Sequence, residues 1–100
     1  MAFMKVADAE QLPPGQSQIV IAGGRELALF NVAGKFYCLD NECPHAGGPL
    51  GEGMLDRDAV MCPWHGWYFD VTTGEGLYGL GICVASHTCK IEEGAVLVDI

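Results

Sequence analysis

Apolar and polar residues alternate over short stretches at both ends of the chain, a pattern typical of β-strands. Three β-rich runs lie within QIVIAGGRELALFNVAGKFYCLD. They are separated by Gly-Gly at 23–24 and Ala-Gly at 33–34, which predicts two successive hairpins. The closing stretch TCKIEEGAVLVDI predicts another hairpin, turning at 93–94. No window of helical length is amphipathic, and only a short helical turn is predicted, near 8–12.

The middle of the chain has a different character. The segment 41–53 is rich in Gly and Pro, and it packs poorly unless it folds around something. The stretch VMCPWHGWYFDVTTGE after it predicts strand, tight loop, strand and turn. We therefore expect one all-β domain over 1–100, an antiparallel β-sandwich or partial barrel. Its scaffold would be 1–39 and 76–100, and a site-bearing subdomain at about 40–75 would be inserted into it.

Composition and charge narrow the function classes. The 100 residues carry a net charge of −8, so nucleic acid is not an expected partner. Within 40–75 only Arg57 is basic, so this region could steer a basic protein partner toward itself. The acidic residues of that region are Asp40, Glu42, Glu52, Asp56, Asp58, Asp70 and Glu75.

Compartment follows from features that the sequence lacks. The first residues do not have the pattern of a secretion signal, and no apolar stretch is long enough to span a membrane. The five Cys are an odd number, which argues against a disulfide framework. A cytoplasmic location without membrane contact is therefore expected.

Two Cys-His pairs indicate a metal site. Cys43-x-His45 is followed, after sixteen residues, by Cys62-x-x-His65. Two thiolates and two imidazoles suit a tetrahedral zinc ion, and they equally suit a Rieske [2Fe–2S] centre, in which two Cys hold one iron and two His hold the other. Each loop here offers one sulfur and one nitrogen. This favours two irons, because each loop must then reach both.

The motifs CPHAGGPL and CPWHGWYFD resemble the two cluster loops of Rieske proteins. The wider chain, including VTTGE and the closing hairpin, resembles the small Rieske-type ferredoxins of bacterial aromatic-ring dioxygenase systems. The resemblance implies one [2Fe–2S] cluster, with Cys43 and Cys62 on one iron and His45 and His65 on the other. It also implies that the backbone N–H groups of three glycines approach the sulfides: Gly47, Gly48 and Gly66.

The resemblance also bears on the reduction potential. With two imidazole ligands the oxidised centre is neutral, so it accepts an electron more easily than an all-Cys cluster, and Rieske potentials span about −150 to +300 mV. High-potential relatives have a disulfide between the two loops and two hydroxyl donors to cluster sulfurs. The matching positions here are Gly48, Trp64, Trp67 and Phe69. None can supply these groups, so a potential near the low end is expected.

The implied function is that of an electron carrier without catalysis or a small-molecule substrate of its own. A flavin-linked reductase would supply the electron and a terminal oxygenase would accept it. The resemblance extends to the small subunit of assimilatory nitrite reductases, which stays an alternative. A structural or sensing metal module is the alternative from another class.

Several residues near the motifs have more ordinary interpretations. The remaining cysteines, Cys38, Cys83 and Cys89, are expected to be small buried side chains. His87 is expected at the surface, away from the metal. Tyr68 and Phe69 are expected to pack the subdomain against the scaffold, whereas Trp64 suits either packing or a docking surface.

Overall fold

The computed structural model describes residues 2–44, 47–64, 66–79 and 81–100. Within them the chain forms antiparallel strands that do not close into a barrel, so the all-β prediction is confirmed. Short 3₁₀ turns occur at Ala9–Gln11 and Leu50–Glu52, the first of them inside the predicted helical turn. The strands are β1 (Phe3–Asp8), β2 (Ser17–Ala22), β3 (Arg25–Val32), β4 (Lys35–Asp40), β5 (Met54–Asp56), β6 (Ala59–Met61), β7 (Tyr68–Asp70), β8 (Ser86–His87), β9 (Cys89–Glu92) and β10 (Ala95–Asp99).

The three predicted hairpins are confirmed. Two-residue loops join β2 to β3, β3 to β4 and β9 to β10. Both residues of each loop have positive φ, as a type I′ turn requires: Gly23 and Gly24, Ala33 and Gly34, Glu93 and Gly94. Glycine adopts this conformation without strain, and the turn geometry then fixes the register of the strands that follow.

The central layer is the sheet β2-β3-β4-β8. Strand β3 carries the run LALF, which is buried on both faces. Leu27 and Leu29 pack with Val96 and Val98, on the side of the outer sheet β1-β10-β9. Ala28 and Phe30 belong to a separate apolar cluster on the opposite face, which includes residues of the third sheet, β5-β6-β7. The central sheet therefore separates two cores.

The third sheet is formed by the part of the chain between β4 and β8. The chain leaves after β4 and comes back at β8, which pairs with β4 through Cys38↔His87 and Leu39↔Ser86. The exit and the return are thus adjacent. Strands β5 to β7 lie within the predicted segment 40–75, whose limits as a subdomain stay a prediction. No helix in the described ranges is long and apolar enough to cross a membrane.

Candidate metal centre

Two loops with the same backbone hydrogen-bonding pattern present Cys43 and Cys62. In the first loop the Gly47 N–H donates to the Cys43 carbonyl (2.7 Å), and the Cys43 N–H donates to the Gly48 carbonyl (2.9 Å). In the second, the Gly66 N–H donates to the Cys62 carbonyl (3.0 Å), and the Cys62 N–H donates to the Trp67 carbonyl (2.7 Å). The sequence offsets are identical, although the His lies two residues after Cys in one motif and three in the other.

Glycine is needed at the same point of both loops. Gly47 and Gly66 have φ of 77° and 71°, the left-handed region that residues with a Cβ rarely adopt. Each loop can therefore turn back on its own cysteine within four residues. This accounts for the Gly-rich character of the motifs by backbone geometry.

Both thiols are withdrawn from water. Cys43 is 1% exposed and Cys62 is 0% exposed, and both belong to the apolar cluster that contains Phe30 and Phe69. The loops follow β4 and β6 directly, so strands from two different sheets hold the two cysteines. Phe69 is fully buried as predicted, and Tyr68 is partly buried.

The two loops touch at Gly48. A Cβ added there would lie 2.9 Å from the Cys62 Sγ and 3.0 Å from Cγ of Trp64. Gly48 does not have a positive φ, so glycine is needed here for space. This close approach puts the first loop against the buried thiol of the second, an arrangement that fits a metal centre shared by two loops.

The two imidazoles predicted as ligands, His45 and His65, lie outside the described residues. Within the described ranges no three His, Cys, Asp or Glu side chains come together as a metal site. The four-ligand assignment therefore stays a prediction, supported on the thiol side by the burial and closeness of the two loops. The cysteines fit the sulfur half of such a centre.

Asn41 braces the first loop, and sequence reasoning missed it. Its buried side-chain oxygen accepts from the Gly51 N–H (2.8 Å), and its carbonyl accepts from the Leu50 N–H (2.8 Å). Its Nδ2 donates to Oε1 of Glu26 on β3 (3.3 Å). A buried amide must find partners, so Asn41 fixes the far end of the loop on the scaffold. A polar residue directly after a strand, just before a Gly-rich loop, was the available signal.

The described residues between β7 and β8 form a third loop, and its Ile82 packs against the apolar cluster that contains Cys43 and Cys62. It is joined to β7 because the Leu77 N–H donates to the Tyr68 carbonyl (2.9 Å) and the rings of Tyr68 and Tyr78 meet edge to face at 5.6 Å. Tyr78 is nevertheless 85% exposed, and Trp64 of the second loop is 58% exposed. Exposed aromatic side chains of this size are typical of protein-binding surfaces.

Two predictions about isolated residues are wrong. His87 is not a free surface residue: its side chain is 13% exposed, and its Nε2 lies 2.7 Å from Oδ1 of Asp40, because β8 pairs with β4. The same Asp40 oxygen accepts from Nη2 of Arg25 at 2.8 Å. Cys83 is exposed, not buried, because the third loop turns its side chain outward. Cys38 is buried as predicted, and Cys89 is half-buried.

A family model described as the Rieske [2Fe-2S] domain matches residues 2–79. The chain belongs to the Rieske [2Fe–2S] family. Its cofactor is a Rieske-type [2Fe–2S] cluster, which agrees with the two buried thiols on matched loops. Zinc, the rival reading of the Cys-His pairs, is thereby set aside.

Relatives of this Rieske chain include proteins of similar size. The ferredoxin component of the alkene monooxygenase system of Xanthobacter autotrophicus is 33% identical over 97 residues, covering 96% of this chain and 80% of that protein. The ferredoxin component of the naphthalene 1,2-dioxygenase system of Pseudomonas aeruginosa is 34% identical, covering 90% of this chain and 88% of that protein. A chain in the solved complex of reduced oxygenase and oxidised ferredoxin in carbazole 1,9a-dioxygenase superposes with a TM-score of 0.89 at 33% identity, covering 96% of this chain and 91% of that chain.

Proposed function

We propose that this chain is the ferredoxin of an oxygenase system, which carries one electron from a flavin-linked reductase to a terminal oxygenase. The observation that supports this proposal most directly is the pair of buried thiols, Cys43 and Cys62, on two matched loops. The loops are in contact where Gly48 of the first meets Cys62 and the exposed Trp64 of the second. Both relatives named above, of whose length this chain covers 80% and 88%, are ferredoxin components of oxygenase systems, which supports a carrier function over a catalytic one.

The ligand set belongs to this proposal. Cys43 and Cys62 would hold one iron as thiolates, and His45 and His65 would hold the other as neutral imidazoles. When bound, the cluster supplies a site for one reversible electron. The chain itself keeps both thiols dry through Phe69 and its neighbours, and limits the movement of the loops through the Gly48 contact.

The charge around the two loops indicates what kind of surface the partner presents. Five acids of the segment 40–75 are exposed: Glu42, Glu52, Asp56, Asp58 and Glu75. A partner with basic side chains around an apolar patch fits a surface that carries these acids together with exposed Trp64 and Tyr78. Electron transfer to such a partner should slow as salt is added, because screening weakens attraction between exposed charges.

The missing hydroxyl donors support a reduction potential at the low end of the Rieske range. Trp67 and Phe69 stand where the resemblance puts hydroxyl donors, and Phe69 is fully buried in the same apolar cluster as both thiols. Reduction adds negative charge, and neither side chain offers an O–H group to stabilise it. We also propose a cytoplasmic location, where a reductase with a soluble nicotinamide donor would work.

The test starts with the purified protein. Iron and sulfide are assayed on a sample whose visible spectrum is recorded before and after dithionite. Two irons and two sulfides per chain with reversible bleaching are expected, and a midpoint potential in the lower half of about −150 to +300 mV. A colourless protein with a single zinc would instead leave a structural module.

The second step tests the partners. The reduced protein is mixed in a stopped-flow instrument with a terminal oxygenase and, separately, with a nitrite reductase large subunit. Rapid reoxidation by the oxygenase alone is expected. Transfer only to the nitrite reductase would overturn the oxygenase assignment. Cys62→Ser is the cluster-deficient control, and Cys83→Ser, which changes the exposed cysteine, should behave as the unaltered protein.

A further inference from the structure

Two cysteines outside the metal centre stand where the metal-bearing part of the chain joins the scaffold. Cys38 lies in β4, the strand from which the chain leaves the central sheet, and Cys89 begins β9, just after the chain returns. The cross-strand partner of Cys38 is His87, two residues before Cys89. All the proposed cluster ligands lie between the two cysteines along the sequence.

The two side chains meet. Both pack in the core between the central and outer sheets, where Val96 and Val98 are their neighbours. The two thiols are close enough to affect each other's acidity, and each has a backbone carbonyl acceptor at 3.9 Å, that of Leu39 for Cys38 and that of His87 for Cys89. Cys38 is buried and Cys89 is half-buried, and both line a cavity of about 280 Å³ next to His87. A small reagent can therefore approach the pair from the Cys89 side.

The contact makes the two thiols differ in acidity. The interaction with Cys38 lowers the pKa of the Cys89 thiol against the opposing effect of burial. The same contact, with burial, raises the pKa of the Cys38 thiol. The thiolate is the nucleophile in disulfide exchange, so the more accessible sulfur is also the more reactive one.

We propose that Cys38 and Cys89 form a redox-active dithiol that a small-molecule disulfide of the glutathione type converts into an intramolecular disulfide. The Cys89 thiolate attacks one sulfur of the reagent, forming a mixed disulfide and releasing one thiolate, which takes up a proton. The Cys38 thiol then loses its proton and attacks the Cys89 sulfur, so that the second small thiol is released and protonated. The protein is oxidised by two electrons, and one molecule of reagent is reduced to two thiols.

The disulfide would tie β4 to β9, the two strands on either side of the metal-bearing segment. It restricts the unfolded chain by closing a long loop, so oxidation should raise the thermal midpoint of the protein. The pair is separate from the proposed ligands Cys43 and Cys62, which lie on the other face of the central sheet in a different apolar cluster. Oxidation at the pair therefore leaves the cluster ligands in place.

The experiment equilibrates the cluster-loaded protein without oxygen in mixtures of reduced and oxidised glutathione. Free thiols are then blocked and the peptides are mapped by mass spectrometry. A peptide containing Cys38 linked to one containing Cys89, two hydrogens lighter than the reduced pair, is expected while the visible spectrum of the cluster is unchanged. Cys83→Ser should give the same linked peptide, because that exposed cysteine is not involved.

Variants of either cysteine should not form the linked peptide. In Cys38→Ser, glutathione should remain on Cys89 as a mixed disulfide, because the second attack is missing. Cys89→Ser, a change at the half-buried position, should abolish the reaction in a protein that still holds its cluster. The proposal is overturned if the unaltered protein keeps glutathione on Cys89, reacts only at Cys83, does not react, or links either cysteine to Cys43 or Cys62.

Discussion

Replacing Gly48 with Ala should weaken retention of the cluster while leaving the fold almost unchanged. The new Cβ would lie 2.9 Å from Sγ of Cys62. Ordinary contacts between heavy atoms are roughly 3.5–4.0 Å, so the sulfur would have to move by roughly 0.6–1.1 Å. Metal–ligand distances tolerate only about 0.2 Å. A thiol that is free to rotate can make this movement, whereas a thiol bonded to iron cannot.

The added Cβ should therefore be destabilising only in the protein that holds its cluster. We expect Gly48→Ala to weaken cluster retention by roughly 10-fold or more, the scale seen when groups that orient metal ligands are changed. The free energy of unfolding of the cluster-free protein should change by less than about 1 kcal/mol. The assays are iron and sulfide per chain, the rate at which the visible spectrum fades with a chelator, and urea unfolding of cluster-free samples.

A second change separates the thiol from its neighbour. The added Cβ would also lie 3.0 Å from Cγ of Trp64, a side chain that is mostly exposed and can swing away. Trp64→Ala alone should keep its iron, and the double variant Gly48→Ala/Trp64→Ala should stay deficient. Recovery of iron in the double variant would show that the ring is responsible, and a fully loaded Gly48→Ala protein would refute the reasoning altogether.

Three further predictions concern the surroundings of the centre. Phe69→Tyr places a hydroxyl in the apolar cluster of both thiols and should raise the midpoint potential by about 40 mV, for a hydrogen bond about 1 kcal/mol stronger in the reduced state; an unchanged potential in a loaded variant would contradict this. Gly74→Ala should destabilise the protein by at least about 2 kcal/mol more than Gly24→Ala in urea unfolding, since both positions have positive φ but only Gly74 would press a Cβ onto the Val84 carbonyl; equal losses would argue against a tight passage there. Asp40→Asn weakens the contacts of Arg25 and His87 with one carboxylate oxygen, and it should lower the free energy of unfolding by about 1 kcal/mol in the same assay. An unchanged free energy of unfolding would mean that these two contacts do not stabilise the fold.

The parts of the fold that sequence predicts are those with local signals. Turns at 23–24, 33–34 and 93–94 carry Gly at positions of positive φ, so the hairpins could be predicted from neighbouring residues alone. Strand β1 was missed because only Ala7 of its six residues is buried, and the strand exists through pairing with distant β10. Strand β8 has two residues, too short for any alternating pattern, and forms because β4 offers a partner.

In the metal site, too, features with a local sequence signal could be predicted and features set by distant contacts could not. The motif predicts two cysteines on Gly-rich loops, and the structure buries both thiols in one apolar cluster and brings Gly48 of the first loop against Sγ of Cys62. Sequence could not predict the support from Asn41, because its partners are set by how the first loop folds back on the scaffold. The contact between Cys38 and Cys89 is equally invisible in the sequence, since it depends on where the chain returns to the central sheet.

The connectivity of the central sheet has a consequence for how the molecule is assembled. Strands β2, β3 and β4 follow one another through two-residue turns, so their pairing requires only short-range contacts. Pairing of β1 with β10, by contrast, requires the closure of nearly the whole chain. Contacts close in sequence form sooner, because the entropic cost of closing a loop grows with its length. We expect the β2–β4 meander to be the folding nucleus, so that the first metal loop emerges from a strand already in place when iron and sulfide arrive.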